Sequence, residues 1–210
     1  MNSNYTTKLK NKRVISVTGD ESEAFLNNII TNDIKNIEKK KAIYSCLLSP
    51  QGKVISHFFI IKIQNQFLFI IDKFLLTELI EKLNFYKLRS KISIKEESKY
   101  NILFTLNNNC KPNPILEFED PRNKKIGKYL IFNGNIDKNI TLDTEDFFNQ
   151  IINANGLIDN IFNQIKNQFF SLELNLKELN AIDFSKGCYV GQENTSRMNL
   201  KNKIAKRIFR

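Results

Sequence analysis

The sequence predicts an α+β protein in which antiparallel sheets are flanked by helices. Apolar segments of strand length come in pairs joined by short turns, as in residues 42–48, the turn at 49–52 and residues 54–62. Segments with helical spacing of apolar residues alternate irregularly with these strands, and the sequence has no internal repeat. This irregular order favours antiparallel sheets over a doubly wound parallel sheet.

The first half opens with a predicted strand over residues 14–18 and a helix after it. Asp20 and Glu23 have the spacing of a capping box, and Phe25, Leu26 and Ile29 then give the helix one apolar face. Three small polar residues at 31–33 are typical of a turn. The other elements predicted up to residue 95 are strands over 42–48, 54–62, 67–71 and 92–95 and a helix over 74–88.

The second half contains predicted strands over residues 101–106, 115–118 and 128–132. A helix over 144–154 is expected to be capped by Asp143 or Thr144 and to stop before Gly156. Short helices are predicted over 176–181 and 193–198. We therefore expect one folding unit made of two intertwined subdomains, roughly residues 1–95 and 96–210.

The chain is basic, with a formal charge of +10 from 32 basic and 22 acidic residues. This charge fits an anionic partner, but a general enrichment in lysine, asparagine and isoleucine is the favoured explanation, because the basic residues are spread along the chain. A basic RNA-binding module is therefore kept as an alternative, although no RNA-binding motif is present and direct nucleic-acid binding is not expected. No apolar stretch approaches the length of a membrane span, so no membrane partner is expected.

The three cysteines, Cys46, Cys110 and Cys188, are widely spaced and form no C-x-x-C motif. The only histidine is His57, so a closed zinc site lacks soft ligands. This pattern indicates a reducing compartment, with a bacterial cytoplasm as the first expectation and a mitochondrial matrix as the alternative.

The most informative stretch is residues 186–193, Lys-Gly-Cys-Tyr-Val-Gly-Gln-Glu, followed by Arg197. Two glycines bracket Cys188, and Lys186 lies two positions before the thiol. Because glycine is used where a backbone turns tightly or approaches another group closely, the stretch predicts a tight loop that leads into a helix. A cation or a helix N-terminus near a thiol lowers its pKa, so Cys188 is predicted to be a reactive, partly exposed cysteine that Lys186 tunes.

This stretch resembles the K-G-C-Y-x-G-Q-E…R signature of the YgfZ-type folate-binding proteins, which are relatives of the aminomethyltransferase (T-protein) of the glycine cleavage system and serve iron–sulfur proteins. The resemblance extends over most of the chain. Further segments similar to that family are Gly19-Asp20 with Phe25-Leu26, residues 31–33, 47–54, 86–91, 120–122 with Gly127, and 169–176.

The resemblance implies an aminomethyltransferase-like folate-binding domain that supports the assembly or repair of iron–sulfur proteins, including those that modify tRNA. Tetrahydrofolate or a derivative is the implied cofactor, and carboxylates, amides, aromatic walls and cations are the groups that would bind it. The expected cofactor-binding residues are Glu173, Tyr189, Gln192, Glu193, Arg197, Arg89 and Asn32. Glu193 and Arg197 are also spaced to form no more than a pair on a helix surface.

Cys188 is further expected to help bind a transient iron–sulfur cluster. One thiolate does not complete such a site, so the other ligands would come from a partner, a second copy or small thiols. The implied partners are iron–sulfur carrier or client proteins.

A folate-dependent aminomethyltransferase is the competing enzyme hypothesis. In that enzyme an acidic pair follows the turn that matches residues 50–54, whereas this sequence has Ser56 and His57 there. His57 has a suitable intrinsic pKa for a base, but the loss of both acids argues against turnover. YgfZ-type proteins also continue past the signature into a small β-barrel, and this sequence is expected to lack that barrel.

Overall fold

The computed structural model describes residues 5–106, 113–136, 140–201 and 204. Cys110 lies outside these residues. The strands in chain order are β1 Thr6–Lys8, β2 Lys12–Thr18, β3 Ala42–Leu48, β4 Val54–Ile63, β5 Gln66–Asp72, β6 Ser93–Glu96, β7 Tyr100–Thr105, β8 Leu116–Glu119 and β9 Lys128–Asn133. The helices are α1 Ser22–Ile29, α2 Ile37–Lys40, α3 Leu76–Lys87, α4 Asp146–Ala154, α5 Phe162–Ile165 and α6 Gln192–Lys201.

The first sheet has the order β3-β4-β5-β2-β6, and every neighbouring pair is antiparallel. β3 and β4 are joined by the predicted turn, and β4 and β5 by another short turn. The sheet is buried on both faces, since all seven residues of β3 and the first eight of β4 are buried. The strands predicted in this half are confirmed.

The second sheet has the order β1-β7-β9-β8 and is also antiparallel. Its edge strand β1 comes from the N-terminal end of the chain and pairs with β7 in the register Thr6 to Thr105. The first strand thus belongs to a sheet that is otherwise built from residues 100–133. The predicted α+β architecture with antiparallel sheets is confirmed.

The two sheets pack through aromatic side chains. Phe59 of β4 lies 5.1 Å from Tyr129 of β9 and 6.1 Å from Phe118 of β8 between ring centroids. Beside these rings lies a buried cluster of charges in which Arg122 contacts Asp120 at 2.7 Å and Asp159 at 2.6 Å. The guanidinium also lies 4.8 Å from the centroid of the Phe59 ring, so it contacts both sheets.

Lys12 extends this cluster, because its Nζ contacts Asp72 at 2.8 Å and Asp159 at 3.4 Å. Burial alone would lower the pKa of Lys12, but the two adjacent carboxylates raise it above its usual value. Burial would raise the pKa of Asp159, yet Arg122 and Lys12 hold it well below the usual range. Each buried charge therefore has an opposite charge beside it, as burial of ions requires.

Three local predictions were wrong. Asp20 does not cap α1: the residue before the helix is Glu21, whose carboxylate instead accepts a hydrogen bond from Lys91 N at 2.7 Å. Neither expected residue caps α4, since Asp143 accepts from Thr6 N at 2.9 Å and Thr144 Oγ1 donates to Asp146. At α4, the tertiary contact with Thr6 takes the Asp143 side chain that the local pattern assigned to the helix end.

The predicted helix over 176–181 is a series of turns. Asn175, just before this segment, and Asn180, within it, have φ of 55° and 57°, and this left-handed conformation interrupts a helix. The structure also contains a 3₁₀ turn over Ile34–Asn36 and the short helix α2, which the sequence analysis did not predict.

Among the described residues, no helix combines the length and apolarity that crossing a bilayer requires.

Candidate functional site

The loop that carries the sequence signature packs against the turn between β3 and β4. Gly191 has φ of 78°, and a Cβ there would lie 2.4 Å from Ser49 O and 2.8 Å from the Leu48 side chain. Gly52, in the facing turn, would place a Cβ 3.2 Å from Gly191 O. The two backbones therefore approach as closely as glycine permits. Gly187 differs, because nothing lies within 4 Å of the position its Cβ would take.

Lys186 attaches the signature loop to the C-terminal end of α1. Its side chain is buried, and Nζ donates to Asn27 O at 2.6 Å, Ile30 O at 2.7 Å and Asn32 O at 3.1 Å. These carbonyls lie at and just beyond the C-terminal end of α1, where backbone acceptors lack helical partners and a cation is favourable. Burial lowers the pKa of Lys186 to about 8. The three donors of the ammonium are used, so an influence on Cys188 would act through its charge and the position of the loop.

Cys188 is exposed, whereas its neighbours Lys186 and Tyr189 are buried. The following backbone is fixed by short contacts: Val190 N donates to Asn28 O at 3.2 Å, and Tyr189 N donates to Gln192 Oε1 at 3.3 Å. The thiol therefore stands at the tip of a loop that is held on both sides. Cys46, by contrast, is buried, and burial raises the pKa of its thiol well above the usual value.

Tyr189 packs inward, with its ring centroid 5.0 Å from Lys186 Nζ, and burial raises its pKa to about 12. Asn32 is also buried, and its amide donates to Tyr44 O and Asn180 O at 2.9 and 2.8 Å. The polar groups of Asn32 thus hold the segments around Lys186 together. The structure brings Lys186, Tyr189, Gln192 and Asn32 into one cluster at the end of α1.

Glu173 lies in a buried segment that contacts both the β3–β4 turn and α6. Its Oε2 accepts a hydrogen bond from Phe170 N at 2.8 Å. Lys53 Nζ lies 3.7 Å from the centroid of the Phe170 ring. Ser171 and Thr195 Oγ atoms are 3.2 Å apart, which connects this segment to α6. Lys53 and Phe170 were not singled out from the sequence, because neither has a distinctive local pattern.

Glu193 and Arg197 form an exposed ion pair of 2.9 Å on the surface of α6. Such a pair contributes little to stability because water screens it. Arg89 lies elsewhere: its loop contacts the N-terminal end of α1, where Lys91 N donates to Glu21, whereas Lys186 contacts the opposite end of that helix. The structure therefore does not bring Arg89 to the other candidate residues.

His57, the alternative base, is buried in β4. Its Nδ1 is 3.1 Å from Tyr44 OH, and its ring packs edge-on against Phe162 at 4.5 Å between centroids. Burial lowers the pKa of His57 to about 4, so the imidazole is neutral at pH 7. This packed environment is that of a core histidine.

Two cavities of substantial volume lie away from these residues. One of about 500 Å³ opens beside Lys12, Asp72 and Asp159, with Phe74 and Phe148 on its walls. Another of about 530 Å³ is lined by lysines, including Lys39–Lys41, Lys124 and Lys128. None of the predicted cofactor-binding residues lines these two cavities. The cavity beside Lys12 could not be predicted from the sequence, because the charged residues that line it are far apart in the chain.

Comparison with known proteins adds three findings. Residues 8–101 match the family described as the GCVT N-terminal domain. The glycine cleavage system aminomethyltransferase T from Bartonella henselae superposes on this structure with a TM-score of 0.64 over 95% of this chain and 65% of that chain, at 10% identity. This chain has an aminomethyltransferase-like fold.

Curated relatives of this aminomethyltransferase-like chain include fungal proteins named "Iron-sulfur cluster assembly factor IBA57 homolog, mitochondrial". Those from Mycosarcoma maydis and Neurospora crassa are each 27% identical over 96% and 97% of this chain. The chain covers 55% and 52% of their lengths, so it spans about half of each. An uncharacterized protein of Haemophilus influenzae is 27% identical over 94% of this chain, which covers 70% of that protein.

The surroundings of Glu173 can be compared with the groups that tetrahydrofolate presents. One oxygen of this buried carboxylate accepts from Phe170 N, and the structure gives the other oxygen no hydrogen bond within the described residues. An aromatic ring and a cation, Phe170 and Lys53, lie in the same segment. A carboxylate acceptor, an aromatic wall and a cation match the pterin edge, the rings and the glutamate tail of a folate. These residues have the kind of chemistry that folate binding requires.

Proposed function

We propose that this chain is a tetrahydrofolate-binding factor of the YgfZ type that supports the assembly or repair of iron–sulfur proteins. The observation that carries the proposal is the display of Cys188 on an anchored loop. The loop places one exposed thiol between buried Lys186 and buried Tyr189. The names of the fungal relatives, iron–sulfur cluster assembly factor homologues, support the iron–sulfur assignment.

Cys188 would contact the cluster as cargo. A thiolate is the ligand that iron–sulfur clusters prefer, and a cluster normally needs four such ligands. One exposed thiol on a rigid loop suits a site that is completed by a partner, by a second copy or by small thiols. Such a shared site allows release, because the cluster leaves when the other ligands move away. The implied partners are iron–sulfur carriers or clients, including enzymes that modify tRNA.

Glu173, Phe170 and Lys53 would hold tetrahydrofolate through its pterin edge, a ring and its glutamate tail. Bound tetrahydrofolate supplies a reduced pterin that carries one-carbon units. Gln192 and Tyr189 would shape the neighbouring loop, and Lys186 and Asn32 would fix its base. The exposed pair Glu193 and Arg197 is available for a ligand or partner at the surface.

The compartment is part of the proposal. The free thiols Cys46 and Cys188 fit a reducing environment. The fungal relatives carry "mitochondrial" in their names, which favours a mitochondrial matrix over a cytoplasm, whereas the relative from Haemophilus influenzae is bacterial.

The function is tested by cluster reconstitution. The chain is incubated without oxygen with ferrous iron, sulfide and glutathione, and bound cluster is measured by visible absorption and iron content. We expect Cys188→Ser to hold several-fold less cluster than the wild type, because the substitution removes the displayed thiolate. Cys46→Ala is the matched control for thiol number and should load as the wild type does. Equal loading of Cys188→Ser and the wild type would contradict the proposal.

A further inference from the structure

The turn that follows α3 holds a leucine in a conformation that normally requires glycine. Ser90 N donates to Lys87 O at 2.8 Å, which closes a four-residue turn. Leu88 has φ of 47° and ψ of −112°, the values of the first central position in a type II′ turn. Glycine dominates that position because a Cβ is strained there. The local backbone therefore does not explain a leucine.

Burial does not explain it either. The side chain of Leu88 is 87% exposed, and Phe85, one helical turn earlier, is 70% exposed. The Phe85 ring contacts the half-buried Tyr86, with 5.3 Å between centroids, and neither Phe85 nor Leu88 joins the hydrophobic core. An apolar side chain stabilises a protein through the hydrophobic effect only when its surface is removed from water. Leu88 thus bears conformational strain without a compensating contact in the described chain.

Four cations lie close in sequence to these two apolar side chains. Lys82, Lys87, Arg89 and Lys91 lie within six residues of Phe85, and none forms an ion pair with a carboxylate in the described ranges. The exposed Glu81 is the acidic residue closest to Phe85 in sequence. We call Phe85, Leu88 and the four cations the α3 tip. It combines two exposed apolar side chains with an excess of positive charge nearby in sequence.

We propose that the α3 tip docks an iron–sulfur carrier or client protein that presents an apolar pocket rimmed by carboxylates. The choice of an iron–sulfur protein rests on the proposed function. A strained leucine in a closed turn presents one fixed shape, which suits a formed protein pocket and has no use in a fluid bilayer. A symmetric dimer that joins two tips would bring four cations against four cations, which is unfavourable.

The position of the tip suits delivery of a cluster. Its loop packs on the N-terminal end of α1, where a Cβ on Gly19 would lie 2.2 Å from Lys91 O. Lys186, at the base of the Cys188 loop, contacts the other end of the same helix. An eight-residue helix is about 12 Å long, and a typical interface covers about 800 Å² on each partner. One docked protein is therefore large enough to contact both the tip and the Cys188 loop.

The test uses Leu88→Gly, which relieves the strain and removes the apolar contact. Cells that lack their own copy of this protein are supplied with the wild type or the variant, and the activity of an iron–sulfur enzyme is measured. We expect Leu88→Gly to unfold at the same or higher urea concentration than the wild type and to restore several-fold less activity. Leu200→Ser, which alters a leucine that is 83% exposed on α6, is the control and should restore full activity.

The possible outcomes separate the two proposals. Full rescue by Leu88→Gly would overturn the docking surface while leaving the proposed function intact. Failure of the wild type to rescue would overturn the proposed function itself. The partner is then identified by placing the photoreactive residue p-benzoylphenylalanine at position 85 in the same cells. An adduct with an iron–sulfur protein that is lost in Leu88→Gly supports the proposal, and no adduct, or an adduct with lipid or with a second copy, overturns it.

Discussion

Two buried ionisable side chains take different roles because of their partners. Lys186 meets three carbonyl oxygens at the end of α1, and its ammonium replaces the donors that a continuing helix would provide. His57 has one partner, Tyr44 OH, and its Nε2 is buried without a hydrogen bond within the described residues. Burial lowers the pKa of both groups, but with a pKa of about 8 Lys186 stays mostly charged at pH 7, whereas His57, with a pKa of about 4, is neutral.

His57 makes stability depend on pH in a defined window. Its pKa is about 4 in the folded state, against an unperturbed value of 6.5, so the unfolded chain binds more protons between these values. The free energy of unfolding should therefore fall as the pH drops from about 6.5 to 4, by about 3 kcal/mol from this group alone.

Urea unfolding at pH 7 and pH 5 measures the effect, and His57→Phe is the comparison because it keeps a ring against Phe162. The variant should lose less stability than the wild type over this interval. An identical loss in both proteins would contradict the assignment.

At the scale of elements, the signature loop is fixed by its contact with the β3–β4 turn. Gly191 is held at φ of 78° against Ser49 O, whereas Gly187 faces open space. These two glycines occupy similar places in the sequence motif and very different places in the structure. They form a matched pair for testing how the loop is held.

Gly191→Ala should lower the free energy of unfolding by about 1–3 kcal/mol, since it adds a Cβ in a strained conformation against backbone. Gly187→Ala should change it by less than about 0.5 kcal/mol, because its Cβ meets nothing. Urea midpoints of the two variants give the comparison. Equal midpoints would show that the close approach to Ser49 does not fix the loop.

The individual elements differ in how far the sequence alone predicts them. Apolar runs and turn residues locate the described strands other than β1, because these patterns are local, and the glycine-bracketed Cys188 marks the loop. β1, Thr6–Lys8, contains no apolar run, and it is defined by its pairing with β7. The caps of α1 and α4 could not be predicted, since Glu21 and Asp143 bind partners 70 and 137 residues away. Phe170 and Lys53 escaped notice for the same reason: only the fold brings them beside Glu173.

At the scale of the whole molecule, the two sheets are connected by the charge cluster around Arg122. This guanidinium contacts Asp120 after β8, Asp159 after α4 and the Phe59 ring of β4. A buried ion network of this kind specifies how the sheets meet, because each charge needs its partner. The formal charge of +10, by comparison, concerns association and leaves the fold undetermined.

Arg122→Met should therefore be strongly destabilising, by about 3–5 kcal/mol, because it leaves two buried carboxylates without this partner. Lys124, two residues after Arg122, forms an exposed ion pair with Glu119. Lys124→Met should therefore lower the free energy of unfolding by less than about 1 kcal/mol. Urea unfolding of both variants checks the difference. A small effect of Arg122→Met would mean that aromatic packing alone holds the sheets together.

We propose above all that this protein, with its aminomethyltransferase-like fold, binds a folate. The most direct measurement is an anaerobic calorimetric titration with tetrahydrofolate of the wild type, Glu173→Gln and Glu117→Gln, the last being an exposed control on β8. We expect saturable binding of tetrahydrofolate to the wild type, several-fold weaker binding to Glu173→Gln and unchanged binding to Glu117→Gln. No binding by a folded wild type, or equal binding by all three, would contradict it.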